Sequence, residues 1–76
     1  MIRDKTQLLE DCGGNRSAAA LRMAAQLVER GFRPLEASYV AAEVFDIDSF
    51  AERRRLDRAV QSFSEMEHRQ VVGAGL

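Results

Sequence analysis

Seventy-six residues, 46% hydrophobic and 30% charged, make one small soluble globular domain, because the chain has no length for a second core. Eleven basic against twelve acidic residues leave a formal net charge of −1, which excludes a generic polyanion binder, since non-specific nucleic-acid affinity rests on an excess of positive charge. The single cysteine, Cys12, excludes an internal disulfide, and a single histidine, His68, without a cysteine cluster excludes a zinc site.

The residues "RDKTQLLED" predict a short first helix that stops at Gly13 and Gly14, where glycine accepts the left-handed conformation of a helix end. Asn15 then stands as an N-cap for a second helix, Arg16 to Arg30, stopped by Gly31. Its Ala20, Leu21, Ala24, Leu27 and Val28 recur at spacings of three and four, and Ala18, Ala19, Met23 and Ala25 widen the stripe. This is the expected central helix. Phe32 lies in a linker, and Pro34 fits the first position of a third helix, about Pro34 to Phe45, with Ala37, Val40, Ala41 and Val44 expected inward. Leu35, Tyr39 and Ala42 lie beside that face.

In "FDIDSFAE" three residues have N-cap character. Phe45 and Phe50 form a hydrophobic staple if Asp46 caps, Ser49 and Glu52 form a capping box if Ser49 caps, and Asp48 is the third candidate. The fourth helix, about Ser49 to Gln70, repeats Leu56, Ala59 or Val60, Phe63, Met66 and Gln70 near every seventh residue. That stripe serves either as core against the second and third helices or as a homodimer seam through Leu56, Ala59, Phe63 and Met66. Strand alternation is missing. The expected fold is therefore all-α: a bundle of three main helices with a short N-terminal helix, one domain over residues 1–72 and a flexible tail at 73–76.

The segment "LEDCGGNRSAAAL", Leu9 to Leu21, resembles the start of the helix-turn-helix in the Fis and NtrC-type DNA-binding family, where a Gly-Asn-Arg stretch leads into an alanine-rich helix. The resemblance implies a second helix that enters the major groove with basic and aromatic residues. This chain departs there. Its alanine helix continues through "RMAAQLVERG" before a glycine occurs, and the next helix, "PLEASYVAAEVF", holds Glu36 and Glu43 but no Lys or Arg to meet phosphates or base edges. The segment is read instead as a helix stop, a cap and the start of a core helix.

No nucleophile and base are placed together by the sequence, and "CGGN" lacks the lysine of a phosphate loop. An enzyme and a cofactor are therefore not expected. Charge is segregated: Pro34 to Asp48 holds four acids and no base, whereas Arg53 to Arg58 holds four arginines opposed by Asp57. On a helix Arg54 and Arg58 share one side, Arg55 turns away and Arg53 lies nearer Asp57. Arg53, Arg54, Arg55 and Arg58 are the expected partner-binding residues, with Glu36 and Glu43 as a complementary acidic surface. These features point to a non-enzymatic protein–protein interaction module, a regulator or inhibitor of a larger partner. In size and composition it resembles the small single-domain inhibitors that phages and mobile elements direct at host defence or regulatory complexes. The alternative is a transcription regulator that sets Arg16 and the arginine cluster on DNA phosphates. The N-terminus has no apolar stretch of signal-peptide length and no run reaches a membrane span, so a cytoplasmic location without membrane attachment is expected.

Overall fold

The computed structural model describes residues 4–74, with side chains described for residues 4–65. Four helices follow in order: α1 Lys5–Asp11, α2 Arg16–Glu29, α3 Pro34–Val44 and α4 Phe50–Ala74. Helices α2, α3 and α4 pack against one another pairwise and α1 packs on α2. There is no strand among the described residues. The architecture is the expected all-α bundle of three main helices with a short N-terminal helix. The ends of α2 and α3 fall within one residue of the expected ones, whereas α4 runs to Ala74 rather than Gln70. Residues 75 and 76 of the expected tail, and the side chains of Met66, His68 and Gln70, lie outside the described residues.

Helices α1, α2 and α4 each begin on a side-chain acceptor, whereas α3 has no side-chain cap and opens on Pro34. The Asp4 carboxylate accepts from the Gln7 N–H at 2.8 Å, and the Asn15 side chain accepts from the Ala18 N–H at 3.1 Å. Of the three candidates before α4, Ser49 holds the position: its carbonyl accepts from the Arg53 N–H at 2.9 Å and its hydroxyl from the Glu52 N–H at 3.4 Å. The staple around Asp46 does not form, because Phe45 is fully buried while Phe50 is 75% exposed.

Asp46 instead ends α3. The first three helices all terminate by one device, a left-handed residue after the cap, at Gly13 (φ 63), Gly31 (φ 105) and Asp46 (φ 54). In each case the next amide reaches back to the third carbonyl from the helix end: Gly14 to Leu9 at 2.9 Å, Phe32 to Leu27 at 3.0 Å, Ile47 to Ala42 at 2.9 Å. Glycine marks the first two stops in the sequence. Aspartate, which tolerates this conformation through its short polar side chain, hides the third. Asp46→Val is expected to lower stability by about 1–2 kcal/mol, whereas Asp46→Gly should change it by less than about 0.5 kcal/mol, both read from urea unfolding midpoints. Equal losses for the two variants would contradict a conformational role.

The core gathers Ala19, Ala20, Met23, Ala24 and Leu27 of α2 with Ala37, Ala41 and Ala42 of α3, Phe45, Ile47, and Leu56 and Val60 of α4. Leu8 anchors α1 against them, with Leu9 and Cys12 packed at its edge. The buried side of α3 differs from the expected one. Val40 is exposed, Val44 is only half-buried, and Ser38 and Ala42 take inward places, a turn of roughly 80° about the helix axis. Only Glu36, Ser38 and Glu43 are polar along α3, so periodicity could not orient it. Small residues win the inward face because α2 and α3 meet through alanines, which allow the helix axes to come close.

Candidate interaction surfaces

Helices α3 and α4 run antiparallel, and their seam opens into a groove. One cavity, of about 180 Å³, is lined by Leu35, Ser38, Tyr39, Ala42, Arg53 and Asp57. A second, sharing Leu35, continues past Arg33, Pro34, Glu36 and Gln61. Ser38 is the buried polar side chain in this wall, and its single hydroxyl proton is donated between the Asp57 carboxylate across the seam and the Leu35 carbonyl at 3.0 Å. That pairing explains how a serine occupies a core position on α3.

Arg53 is the hinge of this face. Its Nε donates to the Ile47 carbonyl at 2.6 Å, its Nη2 donates to Glu43 Oε1 at 3.1 Å, and its guanidinium lies 5.9 Å from the centre of the Tyr39 ring. Thus the structure brings together two of the expected partner-binding residues, Arg53 and Glu43, but against each other within one chain. The guanidinium fork ties α4 to the turn that ends α3. Arg53→Ala is expected to cost about 1–2 kcal/mol, below the full value of charged hydrogen bonds because the pair is partly exposed, and Arg53→Lys should recover less than half. Full recovery by lysine in a urea titration would contradict the role given to the fork.

The other expected residues are spread. Arg54 is exposed and lies 5.7 Å from the centre of the Phe50 ring. Arg58 is exposed, and Arg55, also exposed, lines a different groove between α2 and α4. Glu36 is exposed in the first turn of α3. Along the seven-residue stripe Leu56 belongs to the core of the single chain, Ala59 and Phe63 are half-buried, and Met66 lies outside the described side chains. No cluster of three or more His, Cys, Asp or Glu side chains is placed for a metal among the described residues. Nor is any helix there long and apolar enough to cross a membrane.

Sequence reasoning missed Leu35, Tyr39 and Phe50. Leu35 and Tyr39 are each 60% exposed, one turn apart on α3, beside the groove. A signal existed: α3 segregates alanines on one side from its bulky residues on the other, and bulk does not fit where two helices approach closely. Tyr39 under Arg53 and Phe50 under Arg54 thus form neighbouring aromatic–guanidinium pairs on one flank of α4. No family model matches the chain, and no curated protein or solved structure shows significant similarity to it.

Proposed function

We propose that this chain is a small non-enzymatic protein–protein interaction module, a regulator or inhibitor that covers a surface of a larger partner with its α3–α4 face. One observation carries the reading: Leu35, Tyr39 and Phe50 stand largely exposed there, two of them stacked with arginines. Tyrosine, phenylalanine and arginine are the residues that concentrate binding energy in interfaces, because they present large rigid area at low entropic cost. Arg54 and Arg58, which have no ion-pair partner among the described residues, would steer an acidic partner toward this face. Glu36 would set register against a basic group.

The test is affinity capture from the native host with the wild-type chain and with Tyr39→Ala and Leu35→Glu. A stoichiometric protein held by the wild type and weakened about 30-fold or more by either variant supports the reading. Equal capture by all three overturns it. In parallel, a shift of duplex DNA that weakens steeply with salt would favour the transcription-regulator reading instead.

A further inference from the structure

The opposite flank of α4 carries a second surface that the α3–α4 reading leaves unused. Between α2 and α4 lies a cavity of about 230 Å³ whose walls are Ala18 and Leu21 from α2 and Ala59 from α4, with Ile47 and Leu56 beneath. Leu56 and Ile47 are buried, whereas Ala18, Leu21 and Ala59 are only half-covered. The apolar wall on α2 continues as Ala25 and Val28, also half-buried, so that residues 18, 21, 25 and 28 follow the three-and-four spacing of a helix-packing seam. Helix α2 thereby carries two apolar stripes. One faces the core; of the other, Ala18 and Leu21 line this groove, while Leu21 and Val28 also pack against the edge of the core.

Charge at the mouth says what covers it. Glu52 and Arg55 both line the groove from α4, three residues apart, and both are exposed. Neither has an ion-pair partner among the described residues. A rim with one acid and one base a single helical turn apart is self-complementary. Under a two-fold axis passing between them, Glu52 of one copy meets Arg55 of the other and the reverse pair forms by symmetry.

We propose that the α2–α4 groove is the contact face of a two-fold homodimer in which the α4 helices cross antiparallel at Glu52 and Arg55. Ala59 and Leu21 of each copy then lose water against the other copy. The Tyr39 face points away from this contact and stays open, so each dimer presents two copies of it, which raises avidity for a multivalent partner. The dimer does not depend on the partner reading and is read out on the isolated chain.

Sedimentation equilibrium of the full chain, over about two decades of concentration, measures it. The wild type is expected to pass from monomer to dimer. Glu52→Arg and Arg55→Glu are each expected to raise the dissociation constant about tenfold by placing like charges opposite, and the double swap should restore it to within about threefold of wild type. Ala59→Glu should abolish the dimer with helicity unchanged by circular dichroism; if that variant unfolds, the charge swap at two exposed positions decides alone. Tyr39→Ala should leave the dimer intact. A wild-type monomer throughout, charge variants that dimerise like wild type, a double swap that fails to restore, or loss of the dimer in Tyr39→Ala would each overturn the assignment.

Discussion

Phe45→Ala is expected to remove about 3–5 kcal/mol of stability, the largest effect of any single truncation among the described side chains. Phe45 is the largest of the fully buried side chains. It stands at the end of α3, just before the turn that leads through Ile47 to α4, and its ring belongs to the common core of the bundle. Truncation would leave a ring-sized cavity in a domain whose total stability is about 4–11 kcal/mol by the usual scaling with length. At the lower end of that range the variant would sit close to its unfolding midpoint at moderate temperature. In a urea titration the midpoint should fall with little change in slope, since the surface exposed on unfolding is almost the same. A loss below about 1.5 kcal/mol would show that the ring is not enclosed as described.

Ala41→Leu acts by the opposite route and is expected to cost about 1–3 kcal/mol. Ala41 has no exposed surface and lies on the alanine-lined face of α3 that packs on α2. Three extra carbons have no void to enter, so they must push the helices apart. The consequence extends to the candidate interface. Moving α3 relative to α4 draws Tyr39 away from Arg53 and Ser38 away from Asp57, and the partner affinity should fall along with stability. Ala51→Leu is the control: that alanine is exposed on α4, and its replacement should change stability by less than about 0.5 kcal/mol. Equal losses at both positions would argue against a tight α2–α3 contact.

The run Glu52 to Arg58 shows how one dense sequence feature divides among different tasks. A helix turns by about 100° per residue, so consecutive arginines cannot share an environment. Arg53 points into the seam with α3 and is held by Ile47, Glu43 and Tyr39. Arg55 lies on the other flank, at the α2–α4 groove. Arg54 and Arg58 are left facing outward, and of the four they are the ones available to a partner on the aromatic side. That division was legible from spacing alone. The acceptors that hold Arg53 were not, because they come from the far side of a turn whose shape depends on the conformation of Asp46.

Fold class, the number of helices and most of their ends were determined by the sequence by itself, because local physics suffices for them. Glycine ends α1 and α2, asparagine caps α2 and proline opens α3, whereas the three-and-four pattern oriented α2 only in part: Leu21 and Val28, expected inward, are half-buried, and Ala19 and Met23 are buried beside Ala20, Ala24 and Leu27. The tertiary structure alone decided the rest. It chose Ser49 over Asp46 and Asp48, turned α3 so that alanines rather than valines face α2, and left Leu35 and Tyr39 outside. The reason is that α3 is apolar on nearly every side, so its rotation is set by which side chains let neighbouring helices approach, a property of pairs of surfaces rather than of one segment. The same holds for both candidate surfaces. An aromatic ring or an arginine becomes an interface residue only when packing elsewhere leaves it uncovered.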